Sequence, residues 1–209
     1  RHITDATPKD RLTLHRQVVK FMKSARVKKH DRALTSCLLL VGYIGAPDAR
    51  NILLKYSTTR ILGYIRRNAL IGLAGLPLTG SAANAAGRQM FKYLGETDAT
   101  IVQLALDIIE KLPLTGSLDS QWRKLLKSKH PNVRTFGARK LAVNDNPATN
   151  RLMMSLLAHP DTQVSEIAAG ALARHKRATK LLLEALARER KVESAWRLAQ
   201  ILKPHSESV

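Results

Sequence analysis

The side chains with the most chemistry to offer in this sequence are cations. Lysine and arginine total 35 against 16 aspartates and glutamates, a formal net charge of +19. Guanidinium and ammonium groups bind carboxylates and phosphates. An excess of this size points to an acidic protein surface, a nucleic acid or an anionic lipid surface. One cluster lies near the start of the chain, at Arg16, Lys20, Lys23, Arg26, Lys28, Lys29 and Arg32. A second set is spread out, at Arg66, Arg67, Arg134, Arg139, Arg174, Lys176, Arg177 and Arg197. Residues 1–95 hold 17 basic and 4 acidic residues, whereas residues 96–209 hold 18 and 12. Most of the excess therefore belongs to the first half.

Metal and nucleophile chemistry have less footing. His2, His15, His30, His130, His159, His175 and His205 include no pair at the i, i+4 spacing of a helical metal site. His130 and His159 each precede a proline, a shared position that reads as loop chemistry. Cys37 is the only cysteine, so no intrachain disulfide and no cysteine-based metal site can form. It falls in the apolar run Cys37–Ile44 and reads as a small buried hydrophobe. That run is too short to cross a bilayer. Phosphate-cradling glycine loops and the Gly-x-Ser-x-Gly elbow are absent, so no cofactor, metal or small-molecule substrate is indicated.

The elements that must position these cations are marked by a repeat. Leu-Pro-Leu-Thr-Gly-Ser occurs at Leu76–Ser81 and again at Leu112–Ser117, 36 residues on. A recurrence at that distance signals stacked repeats. Pro77 and Pro113 end one helix, the glycines loosen the turn, and Ser81 and Ser117 are placed to cap the next. Phased in this way, the chain yields six helix pairs. First helices are expected at about 11–25, 47–58, 81–95, 117–128, 147–158 and 178–189. Second helices are expected at about 31–45, 61–76, 98–112, 131–143, 161–175 and 191–203. The second helices share an apolar residue followed at +4 by a small one, then by apolar or small residues at +7 and +8 on the same face. The sets are Ala33, Cys37, Leu40, Val41; Ile65, Ala69, Gly72, Leu73; Ile101, Ala105, Ile108, Ile109; Val133, Gly137, Lys140, Leu141; and Val164, Ala168, Ala171, Leu172. A sixth, more polar set is Val192, Trp196, Ala199, Gln200. Leucine and alanine dominate the apolar content, and aromatics are 4% of the chain, which favours an all-α fold.

Val133-Arg134 with Gly137 and Leu141 after His130-Pro131 resembles the HEAT-repeat signature. So do Ala171-Leu172-Ala173 after His159-Pro160-Asp161, the run Val41–Pro47, and Ile65-Arg66 with Ala69 and Gly72-Leu73. The resemblance covers about residues 11–203. It implies a right-handed α-solenoid superhelix of about six helix hairpins, with second helices lining the concave side. It also implies that an arginine just after the opening apolar residue, as at Arg66 and Arg134, bridges neighbouring repeats through a carboxylate. Ligand contact is the open alternative at those two positions. Arg67 and Arg139 lie off that position and are better placed to meet a partner. Some HEAT-like solenoids are alkylpurine DNA glycosylases that use a carboxylate and tryptophans in a basic groove. Asp107, Trp122 and Trp196 are the residues here that such a reading would need, though the motif is not matched residue by residue. Others attach bilins, for which nothing in this sequence speaks.

The expectation is therefore a HEAT-repeat domain over 11–203, with an N-terminal extension at 1–10 and a C-terminal tail at 204–209. The repeats run at about 11–45, 47–76, 81–112, 117–143, 147–175 and 178–203. Its function is expected to be non-enzymatic: a binding scaffold for an acidic protein surface, with nucleic-acid backbone binding as the alternative. No signal peptide pattern opens the chain, which begins at Arg1, and a cytoplasmic protein with a trimmed or processed N-terminus is expected.

Overall fold

A computed structural model describes residues 6–24, 27 and 30–206. Among these the protein is all-α, with twelve α-helices, a short 3-10 turn at Lys176–Ala178 and no strand. The helices follow as α1 (Pro8–Met22), α2 (Asp31–Ile44), α3 (Ala49–Tyr56), α4 (Gly63–Ala74), α5 (Gly80–Tyr93) and α6 (Ala99–Lys111). The second half continues with α7 (Asp119–Leu125), α8 (Pro131–Leu141), α9 (Pro147–Leu156), α10 (Thr162–Arg174), α11 (Thr179–Arg188) and α12 (Val192–Ser206). None is long and apolar enough to cross a membrane. The chain divides between Gly116 and Ser117 into two compact units.

The start signals act mostly through short polar caps. Thr7 accepts a hydrogen bond from the Asp10 backbone N–H, and Pro8 fills the first helical position, so α1 starts three residues ahead of the expected 11. Asp98, Asn146 and Asp161 cap α6, α9 and α10 in the same way. The two copies of the hexapeptide end differently. In the first, Thr79 is the residue before α5, and the helix begins at Gly80, which adopts φ +53°. In the second, Gly116 adopts φ +90° and α7 begins only at Asp119. Neither Ser81 nor Ser117 is the cap. Instead Thr115 is pinned to α5, its N–H donating to Asn84 Oδ1 while Asn84 Nδ2 donates back to its hydroxyl.

In the first unit α1 packs on α2, α3 on α4 and α5 on α6, while α2 packs on α4 and α4 on α6. The α2–α4 contact is backbone to backbone. A Cβ at Gly42 would lie 2.4 Å from Gly72 Cα, and one at Gly72 would lie 2.9 Å from the Leu38 carbonyl. The first helices are tied to one another as well. His15 Nε2 lies 2.6 Å from Asp48 Oδ1, ahead of α3, in an approach off the hydrogen-bond direction. Ser57 Oγ and Tyr93 Oη, from the ends of α3 and α5, are 3.1 Å apart. Leu38, Leu53, Leu70, Leu73, Met90, Ile101, Ile108 and Ile109 are fully buried among these helices. Each such side chain contributes about 1.5–3 kcal/mol of burial. Cys37 is buried with them, and burial pushes its thiol pKa up.

The second unit repeats the plan: α7 packs on α8, α9 on α10 and α11 on α12, with α8 on α10 and α10 on α12. Trp122 packs edge-on to Phe136, ring centres 5.8 Å apart. Two histidines a repeat apart hold equivalent places. His175 Nε2 donates to the Ala142 carbonyl, 2.9 Å away, and its other ring nitrogen faces Asn150 in α9. His205 Nε2 donates to the Leu172 carbonyl, also 2.9 Å away, and its other nitrogen faces Thr179 in α11. His205 thus belongs to α12, which runs through Pro204 to Ser206 rather than ending at 203.

Five of the six expected packing sets are largely buried. Leu40 is an exception, 38% exposed, with Leu38 turned inward instead. Lys140 lies over the Phe136 ring, its Nζ 5.2 Å from the centre. The sixth set is wrong in phase: Val192 and Trp196 are 84% and 66% exposed, and α12 packs through Leu198 and Ile201.

Candidate interaction surfaces

Three of the second-helix arginines, Arg66, Arg67 and Arg134, reach into the next pair rather than into solvent. Arg66 of α4 is 7% exposed. Its Nε donates to the Ser57 carbonyl at the end of α3, satisfying a helix-end acceptor. Its two terminal nitrogens fork onto Glu96, at 2.9 and 2.7 Å, just ahead of α6. The guanidinium also sits 5.2 Å from the centre of the Tyr93 ring. The Glu96 hydrogen bonds raise its pKa although burial opposes them.

Arg134 of α8 does the same with other partners. Nη1 donates to the Ser128 carbonyl at 2.8 Å, and Nε and Nη2 both reach Asp161 Oδ2, at 3.0 and 2.7 Å. Asp161 is the cap of α10, so the bridge ties one pair to the next. The hydrogen bond from Arg134 holds the Asp161 carboxyl below the usual carboxylate range, against the effect of burial. In α10 the corresponding residue is Ser165, whose hydroxyl donates to the Leu157 carbonyl, and Arg197 of α12 reaches both that carbonyl and Ser165. Of the two alternatives for Arg66 and Arg134, the geometry is that of a bridge.

Arg67 lies beside Arg66 and is also engaged. Its Nη2 is 3.0 Å from Asp98 Oδ2, and that hydrogen bond is the main cause of the lowered Asp98 pKa. Arg139 is exposed, its guanidinium 6.0 Å from the Phe136 ring centre. It lines an open cleft of about 880 Å³ between α8 and α10, together with Thr135, Val143, Glu166, Ile167 and Arg174. The cleft carries charges of both signs. On α6, exposed Asp107 stands where α8 has Arg139, and exposed Lys111, next to Glu110, stands where α10 has Arg174. The second helices therefore carry no continuous ladder of free arginines within either unit.

The first helices are different. Asp10, Asp119 and Glu184 are the only acidic residues on α1, α3, α5, α7, α9 and α11, against thirteen lysines and arginines. On α1, Lys9, Arg16, Lys20 and the adjoining Lys23 are exposed, opposite the buried stripe of His15, Val18 and Met22. Phe21 is 44% exposed. Lys55 on α3, Arg60 in the turn after it, and Arg88 and Lys92 on α5 are likewise exposed. Among the described residues, none of these eight cations forms an ion pair. Of the expected N-terminal cluster, Arg16, Lys20, Lys23 and Arg32 are exposed, while Arg26, Lys28 and Lys29 lie outside the described residues. Lys55, Arg60, Arg88 and Lys92 were missed by a reading that followed the second helices. Their signal was present: Arg88 and Lys92 are one turn apart and face away from Ala83, Ala86 and Met90.

Apart from Leu12 and Phe21 on α1, the exposed large apolar residues of the first unit lie elsewhere. Leu39, Leu40, Tyr43 and Ile71 line a groove of about 370 Å³ between α2 and α4. Leu62 and Tyr64 are exposed at the start of α4, where the Tyr64 hydroxyl donates to Asp31. By contrast α3 and α5 present no exposed large apolar side chain.

Of the residues a glycosylase-like site would need, Trp122 is in the core of the second unit against Phe136, Trp196 is exposed on α12, and exposed Asp107 of the first unit accepts a hydrogen bond from Gln103 of its own helix. No group of three or more potential metal ligands occurs among the described residues. His159 serves its turn, its Nδ1 accepting from the Asp161 backbone N–H.

No protein-family model and no curated protein matches the chain. Among solved structures that match is the crystal structure of an engineered protein. It is 18% identical with a TM-score of 0.47, over 92% of this chain and 96% of that one.

Proposed function

We propose that this chain is a non-enzymatic, HEAT-like α-solenoid scaffold that docks an acidic partner through a basic surface. The repeat reading is supported by six consecutive helix pairs, by second helices packed on one another within each unit, and by arginines that bridge from one pair to the next. The observation that carries the docking reading is the contrast between two sets of cations. Arg66, Arg67 and Arg134 are consumed by internal carboxylates. Lys9, Arg16, Lys20, Lys23, Lys55, Arg60, Arg88 and Lys92 of the first unit stand exposed and, among the described residues, form no ion pair. Unpaired like charges repel and destabilise the fold unless a partner neutralises them. A basic first-helix surface, which takes in Arg16, Lys20 and Lys23 of the expected N-terminal cluster and leaves out Arg66, Arg67 and Arg134, is thus the docking surface.

Retention on a generic polyanion column tests this. The chain is expected to elute at high salt, and the triple charge swap Lys20→Glu, Lys55→Glu, Lys92→Glu to elute much earlier. Unchanged elution of the triple variant would remove the first-helix surface from the reading.

A further inference from the structure

We infer that the partner of the α1, α3 and α5 surface is the phosphate backbone of a nucleic-acid duplex, bound without reading its base sequence. The inference rests on the scaffold reading and narrows it to one class of partner. Protein interfaces are anchored by buried aromatic and apolar side chains at their centre, with charge at the rim. In the first unit these two ingredients are separated. The apolar side chains that could anchor a protein line the groove between α2 and α4. The unpaired cations sit opposite the buried stripes of the first helices. On α1, Leu12 leans into a groove with Ile44 and Pro47, and Phe21 lies about 100° or more around the helix from the cations. A surface with cations and no anchors suits a polyanion, whose binding comes from neutralised phosphates and released counterions.

The cations also recur from one first helix to the next. Arg16 and Lys20 are one helical turn apart on α1, as are Arg88 and Lys92 on α5. Lys55 and Arg60 belong to α3 and its following turn, between them in the chain and joined to both helices by His15···Asp48 and Ser57···Tyr93. A duplex presents a charge about every 1.7 Å along its axis, so each helix, about 10 Å across, would meet about six phosphates of a duplex lying over it. Single-strand binders stack bases on exposed aromatics. On α5 Tyr93 is buried beneath Arg66 and Phe91 is half-buried, as is Tyr56 on α3. With no fully exposed aromatic on α3 or α5 to serve as a base-stacking platform, the contact is to the backbone.

The test is fluorescence anisotropy of the full chain with a labelled random-sequence duplex of about 20 base pairs, between 25 and 100 mM salt. Six phosphate contacts give a log–log slope of about −5, close to a 10³-fold loss over that range. The pair Lys20→Glu, Lys92→Glu is expected to reduce the slope by about one per residue removed. The neutral pair Lys55→Gln, Arg88→Gln should act likewise, and both are checked for unchanged helicity by circular dichroism. Tyr43→Ala, in the apolar groove, should bind as the parent does. Polyglutamate of equal charge serves as competitor and should displace the duplex poorly. Displacement as effective as by unlabelled duplex would overturn the nucleic-acid assignment in favour of an acidic protein. Failure to bind duplex at low salt, with polyanion retention intact, would also overturn it and leave the scaffold reading standing. Loss of both would sink the two together, and undiminished binding by both variant pairs would place the contact elsewhere.

Discussion

Replacing Arg66 by methionine tests the distinction on which the functional reading depends. Methionine keeps the aliphatic stem and removes the guanidinium. Three hydrogen bonds vanish, one to the Ser57 carbonyl and two to Glu96. The carboxylate left behind has a side chain only 18% exposed. Hydrogen bonds to charged groups contribute about 1.5–3 kcal/mol, and breaking a buried pair from one side costs about 3–5 kcal/mol. Because Glu96 retains some contact with water, a loss of about 3 kcal/mol is expected. The assay is urea unfolding followed by circular dichroism, with Glu96→Gln and the double variant completing a cycle. The coupling energy should be about 1.5 kcal/mol or more, since the partners are in direct contact. Polyanion retention should be nearly unchanged in the folded variant. A stability loss below about 0.5 kcal/mol together with a clear loss of retention would refute the reasoning, because Arg66 would then be facing a partner.

Asp161→Asn keeps the cap on α10, since asparagine caps as well as aspartate, but removes the charge that Arg134 holds. The Asp161 carboxyl titrates below its ordinary value in the folded protein. Its contribution to stability is therefore present above about pH 4, the unfolded value, and lost as pH falls through the depressed folded value. The variant should be less stable than the parent at pH 7, and the gap should close below pH 4 in a pH series of urea melts. Gly42→Ala forces a methyl group to within 2.4 Å of the Gly72 backbone, so α2 and α4 must separate. A loss of about 2 kcal/mol or more is expected. Gly63→Ala, with nothing within 4 Å of the added carbon, should be neutral or stabilising in the same melts.

The pairing of helices was legible because it is written in local signals. Prolines 77 and 113 stop helices, Asp98, Asn146 and Asp161 start them, and small residues at Ala69, Ala105, Gly137 and Ala168 mark where helices meet. The phase of α12 was not legible. Val192 and Trp196 fit the apolar pattern of earlier helices, but α12 packs on α10 and α11 through Leu198 and Ile201. The roles of the arginines were only half written. Arg66 and Arg67 are adjacent, and the repeat resemblance sets only Arg66 at the bridging position, leaving Arg67 to a partner. The information lies about 30 residues away, in the carboxylates Glu96 and Asp98 that precede α6 and collect one arginine each. Asp161 does the same for Arg134. Once those acids are assigned inward, the largest group of exposed cations in the first unit is on its first helices, of which the sequence marks Arg16, Lys20 and Lys23 but not Lys55, Arg60, Arg88 and Lys92.

The bridging arginines also make the helix pairs non-interchangeable. Arg66 sits in one pair and its carboxylate in the following one, as do Arg134 and Asp161. A pair is therefore a tongue on one side and a groove on the other, and the order of pairs is part of what the sequence encodes. Deleting the α5–α6 pair would remove Glu96 and Asp98 and leave both Arg66 and Arg67 without a counter-charge. The position in α6 that would extend the series holds Val102, fully buried and unable to form such a link. Each unit is keyed by its own arginine, so the chain cannot be lengthened by copying any one pair unless the acid of the next is copied with it.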